Sequence, residues 1–117
     1  RPAPAEAGAR VEPALAREQQ YWLAATAIEQ GKAAVALAEA ERGFALLGEM
    51  SNDELQWRLA AIATLALRAM GESDRAREMR GRAESALARL RSDWPDGFGT
   101  YERRPDLAEL KTRLGQA

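Results

Sequence analysis

The sequence predicts an all-α fold of antiparallel helical hairpins stacked side by side, and three observations carry the prediction. The apolar 46% of the chain is mostly Ala and Leu with few β-branched residues, so strand formers are scarce. Apolar positions recur at steps of three and four, the period of a helix with one buried face. Gly31 and Gly71 each follow such a stretch, where a glycine ends a helix and lets the chain reverse. At 117 residues the chain fits one domain.

Residues 1–11 are rich in Pro, Ala, Gly and charge without periodicity and read as a linker or disordered arm, followed by a single domain over 12–117. A first helix is expected from Pro13 to Gln30, carrying Leu15, Tyr21, Trp22, Leu23 and Ile28. The second, Lys32 to about Glu49, places Ala33, Ala36, Leu37, Ala40, Phe44 and Leu47 on one face. Its small side chains let two helix backbones approach closely.

Ser51 with Glu54 three residues on has the form of a capping box and opens a third helix, with Leu55, Leu59, Ile62, Ala66 and Ala69 as its inner stripe. The fourth, about Ser73 to Asp93, carries the stripe Ala76, Met79, Ala83, Ala86, Leu87 and Leu90, continued by Trp94 as a core residue. Pro95 stops it, Asp96 to Gly99 form a turn, and Pro105 opens a short last helix whose Leu107, Leu110 and Leu114 close over the stack.

Forty positions separate Gly31 from Gly71, and an alanine follows each five residues later (Ala36, Ala76). Such a recurrence marks a repeat architecture. Over roughly 14–94 the chain resembles the tetratricopeptide repeats: Leu23, Ala24, Ala27, Gly31, Ala36 and Ala40 in one unit, and Leu67, Gly71, Ala76 and Ala83 in the next, match that family's small and apolar positions. The period is longer than the family's usual one, and Gly43 and Arg80 depart from its pattern. The resemblance implies a right-handed solenoid of two long repeats, about 14–50 and 53–94, with a capping helix at about 100–115. Armadillo- and HEAT-type repeats share the forty-residue spacing.

Drawn-out repeats of this kind resemble the helical regions of bacterial regulators, so the chain, which starts at Arg1 without Met, reads as the C-terminal end of a longer protein. About three units are usually needed for stability, so two hairpins and a lid point to a further neighbour or a second copy.

The near-neutral balance of 17 basic and 18 acidic residues gives no overall field for nucleic acid or an anionic membrane. With no Cys and no His, thiol nucleophiles, disulfides, the common zinc sites and imidazole catalysis are absent. No phosphate-binding loop, nucleophile elbow or calcium loop occurs either, and no enzyme, cofactor or metal site is expected. Arg75, Arg82 and Arg89 share a face of the fourth helix and could form a phosphate stripe, although paired surface charge is the ordinary reading of such a run. The expected role is a non-catalytic interaction module for a protein or peptide, with a homodimer or a structural end-cap as alternatives, and a cytoplasmic or periplasmic home.

Because the resemblance implies a ligand surface on the first helix of each hairpin, the candidate partner-binding residues are Gln19, Tyr21, Trp22 and Thr26 on the first helix and Gln56, Trp57, Arg58 and Thr64 on the third. Gln20 belongs to the same polar set. Trp57 falls off the core stripe, where it is either exposed as an anchor for a partner or second protomer or covered by a neighbouring repeat or the second helix.

Overall fold

A computed structural model of the chain describes the backbone of residues 2–116 and the side chains of 14–116. Among them are six helices and no strand: α1 (Pro2–Glu29), α2 (Ala33–Leu47), α3 (Asp53–Ala69), α4 (Ser73–Asp93), α5 (Phe98–Glu102) and α6 (Pro105–Gly115). None of them is long and apolar enough to cross a membrane. The helical backbone of α1 begins ahead of Pro13 and runs through the expected arm, whose side chains lie outside the described ones.

Two turns organise the chain, and they coincide bond for bond. Gly31 and Gly71 hold φ of 74° and 78°, the left-handed region where any other residue would strain. The Gly31 N–H donates to the Ile28 carbonyl (3.1 Å) and the Lys32 N–H to that of Ala27 (2.9 Å). Forty positions on, the Gly71 N–H donates to Arg68 (3.0 Å) and the Glu72 N–H to Leu67 (2.9 Å). This double closure satisfies carbonyls left over at the helix end and sends the chain back on itself. Gln20 of α1 accordingly meets Glu39 of α2, each about ten positions from the turn, as antiparallel partners do.

α3 is the keystone. It packs on α1, α2, α4 and α6, and an unbroken run from Trp57 to Thr64 is buried. A helix apolar or small on nearly every side is suited to that central position. Leu59 presses on α2 at Gly43, where an added Cβ would lie 2.6 Å from a Leu59 methyl, so glycine sets the spacing of the two helices. Thr64, fully buried on α3, donates its hydroxyl to the Ala60 carbonyl (2.8 Å) and leaves no orphaned polar group.

The C-terminal segment folds back over α3. Leu107, Leu110 and Leu114 of α6 are buried, as the sequence predicts. Arg68 donates to the Arg113 (3.0 Å) and Leu114 (2.8 Å) carbonyls, capping the α6 end with positive charge. Arg113 in turn reaches Glu29 of α1 at 2.7 Å.

Several sequence expectations shift. The α3 cap is Asn52, whose side chain accepts from the Leu55 N–H (3.1 Å), rather than Ser51. The predicted turn at 96–99 gives way to helix from Phe98, whose ring is buried and needs the helical direction to reach the core. Ala69 is exposed because it lies at the fraying end of α3. Trp94 is 44% exposed: α4 ends at Asp93, and one non-helical residue is enough to turn its side chain off the stripe. Among the described side chains of α1 the buried residues are Tyr21, Ala24 and Ala27, while Leu15, Trp22 and Leu23 face out.

Candidate interaction surface

Two faces of α1 carry the candidate residues, and they have opposite characters. The face toward α3 holds a buried polar clasp. Arg58 is 5% exposed and bonds Glu18 of α1 (2.8 Å) and Glu54 one turn back on α3 (2.7 Å), with the Tyr21 ring 4.0 Å from its guanidinium carbon. Glu54 also accepts from the Tyr101 hydroxyl, which accepts in turn from the Trp57 indole N–H (2.9 Å). One arginine and one glutamate thereby join α1, α3 and α5.

Burial opposes charge on Arg58, but the bond to Glu18 and the charges of Glu54 and Glu18 outweigh it and hold the guanidinium pKa above its ordinary value. Burial likewise pushes both phenols up. For Tyr101 the bond to Glu54 adds to that effect, and for Tyr21 the neighbouring Arg58 opposes it.

This clasp corrects part of the expected surface. Trp57 is 1% exposed, since α5 covers the side of α3 that the sequence left open. Arg58, Tyr21 and Thr64 are also buried, so none of the four is available to a partner in the folded chain. Gln56 is half-buried beside Arg89, which reaches its side-chain oxygen at 3.4 Å. The patterns around Tyr101 and Glu54 are visible only once α5 is placed.

The opposite face of α1 forms, with α2, an open groove of about 730 Å³. Gln19, Trp22 and Thr26, three of the predicted residues, line it together, joined by Leu23 and by Val35 of α2. Trp22, Leu23 and Val35 are 47%, 54% and 49% exposed. Glu39, whose side chain is 15% exposed, also lines it and is engaged by the Gln20 amide (2.6 Å) and by Arg42 (3.1 Å), so its charge is locally balanced. Leu23 is counted among the apolar residues of the first helix and Val35 falls outside the second helix's buried stripe, so neither joins the polar candidates; the forty-position offset finds Leu23 alone, since it carries Val35 onto Arg75.

Shifted by that offset, Leu15, Gln19, Trp22, Leu23 and Thr26 of α1 become Leu55, Leu59, Ile62, Ala63 and Ala66 of α3, all buried. The earlier hairpin flanks α3, whereas nothing in the described chain covers the matching face of α1. An apolar face of this sort, rimmed by polar groups, is how interaction surfaces look.

The arginines of α4 have partners of their own. Arg75 pairs with Glu72 (2.8 Å), Arg82 lies 4.0 Å over the Phe44 ring, and Arg89 bonds Asp53 (2.9 Å). Among the described residues there is no cluster of His, Cys, Asp or Glu suited to a metal ion. No protein-family model matches the chain, and no curated protein or solved structure matches it either.

Proposed function

We propose that this chain is a non-catalytic protein-interaction module, a tetratricopeptide-like solenoid segment of a larger bacterial regulatory or signalling protein, and that its working surface is the α1–α2 groove. The observation that carries the reading is the exposure on α1 of a face whose counterpart on α3 is buried by helices. Such a face is shaped to receive another helical element, with Trp22 as the aromatic anchor.

The solenoid reading is supported by the order of packing. α1 pairs with α2, α3 with α4, and both α1 and α2 touch α3, which is how consecutive hairpins stack when each leans on the next. The matched turns at Gly31 and Gly71 point the same way. The charged outer side of α4 and the fold-back of α6 favour this end of the array as a terminus, so an end-cap role is compatible with a docking role at the other end. Nucleic-acid binding through Arg75, Arg82 and Arg89 is the weaker reading, because each already has an intramolecular partner.

Site-specific photo-cross-linking in the cell tests the reading. A photoreactive side chain at position 23 or 26 is expected to give discrete adducts, while one at Ser85, exposed on α4, gives none. Equal labelling from all three positions, or none from the groove, overturns it.

A further inference from the structure

We infer that the α1–α2 groove takes an amphipathic helix of another protein, one that presents a glycine or alanine followed by an aromatic residue and docks as α2 docks on α3 and α4. The inference rests on the groove being the interaction surface and adds the chemistry of what enters it.

The molecule holds its own example of such a docking. α2 meets the second hairpin through two neighbouring residues, Gly43 and Phe44. At Gly43 an added Cβ would come within 2.6 Å of a Leu59 methyl of α3, so a small residue is required there. Phe44 lies under the Arg82 guanidinium of α4, 4.0 Å from its carbon, a favourable seat for a cation on a ring face. The forty-position offset carries Leu59 onto Gln19 and Arg82 onto Arg42, and both of these line the open groove. The two residues that grip α2 in the second hairpin thus have counterparts in the first.

Those counterparts define the guest. Gln19 is no shorter than Leu59, so the residue opposite it is again small. Arg42 repeats the guanidinium of Arg82; its side chain is 70% exposed, and Glu39 holds it at 3.1 Å. An aromatic residue beside the small one gives Arg42 the ring that Phe44 gives Arg82. Trp22 and Leu23 stand where the second hairpin has Ile62 and Ala63, and offer a larger apolar surface to the buried stripe of an entering helix.

The guest comes from outside this chain. Residues 48–52 carry the chain from α2 to α3, but forty positions earlier 8–12 lie within the unbroken helical backbone of α1. The segment ahead of residue 14 therefore prolongs α1 and does not turn back over the groove. A second copy has no free α2 to give, since Gly43 and Leu47 are buried in its own fold.

Fluorescence anisotropy of the full chain with a labelled peptide of residues 32–50, braced as a helix between positions 41 and 45, which are exposed on α2, tests the idea. Saturable binding is expected. Arg42→Ala in the protein, or Phe44→Ala in the peptide, should each weaken it roughly tenfold, and the two losses should not add, because they remove one contact. Gly43→Leu in the peptide and Leu23→Glu in the protein should abolish binding, with helical circular dichroism of the protein unchanged. Arg82→Ala should leave it intact. No saturation up to about 1 mM peptide, additive losses, or an equal loss with Arg82→Ala, which would place the peptide on α3 in exchange for α2, overturns the inference. The cross-links from position 23 separate the two readings. Adducts with another protein but no peptide binding retain the groove and remove this occupant, adducts of twice the chain mass replace it with a second copy, and neither adduct nor binding removes both.

Discussion

The two hairpins of this molecule share a turn and differ in what they hide. α1–α2 and α3–α4 close with the same hydrogen bonds around a left-handed glycine, yet Leu55, Ile62 and Ala63 are buried while their counterparts Leu15, Trp22 and Leu23 lie half in water. The local sequence of α1 is no less apolar at these positions, so the difference comes from neighbours. α3 has a hairpin on one side and α6 across it, whereas α1 has neighbours on one side alone. The half-exposed Trp22 and Leu23 thus reflect the arrangement of neighbours around α1 and not a less apolar sequence.

The sharpest way to break this comparison is to truncate one tryptophan from each hairpin. Trp57→Ala is expected to cost about 3–5 kcal/mol, since it empties a fully buried site and strips the Tyr101 hydroxyl of its donor. Trp22→Ala, measured by urea denaturation, is expected to cost about 1 kcal/mol, since the ring is 47% exposed and loses mainly its edge-on contact with Tyr21 (5.0 Å). Similar losses at both sites would mean that the α1 face is buried after all.

Gly43→Ala probes the contact between the hairpins. A gain in helix propensity of about 1 kcal/mol opposes an overpacking cost of about 1–3 kcal/mol, and the second is expected to win because Leu59 has no exposed space to move into. A net loss of about 1 kcal/mol should appear in the denaturation midpoint. At Gly97 the clashing group is the Trp94 ring, which is 44% exposed and can swing away, so Gly97→Ala should change little.

Gly31→Ala and Gly71→Ala sharpen the comparison further. Each forces a side chain into the left-handed region at about 1 kcal/mol, and matched turns predict matched losses. A large inequality between the two would show that the turns are not equivalent in energy.

The smallest effect is on pH. Tyr21 and Tyr101, the two tyrosines of the chain, both ionise above their ordinary value of about 10 when folded. The folded state therefore keeps protons that the unfolded state releases, and stability is complete below about pH 10 and falls as pH rises beyond it. Phenolate absorbance should lag behind that of free tyrosine until the chain unfolds. Tyr101→Phe should flatten the alkaline decline more than Tyr21→Phe, because Arg58 partly offsets the shift at Tyr21. Normal titration of both phenols in the folded protein would contradict the clasp.

Much of the helical layout is legible in the sequence. Gly31, Gly71, Pro95 and Pro105 punctuate the chain in ways that depend only on local backbone chemistry, and α4 and α6 begin where their flanking residues indicate. Candidate surface residues were far less legible. Trp57, Arg58 and Thr64 occupy positions that a single-helix pattern assigns to the polar side, but α3 is enclosed on several sides, and a helix that central has little polar side left. Leu23 shows the reverse: it is apolar and sits on a helix, yet it is exposed, because whether apolar means buried depends on a neighbour.

Residue by residue, then, the amino-acid order by itself determined the α2, α3, α4 and α6 helices and the reversals at Gly31 and Gly71, because φ preferences, caps and the three-and-four period act over a few bonds, but not the early start of α1 or the short α5. Which of two similar apolar stripes is hidden, that Arg58, Glu54 and Tyr101 lock three helices together, and that the open surface lies along α1 and α2 were decided by the tertiary structure alone. Burial is a relation between segments distant in the chain, and no local pattern specifies which segment arrives.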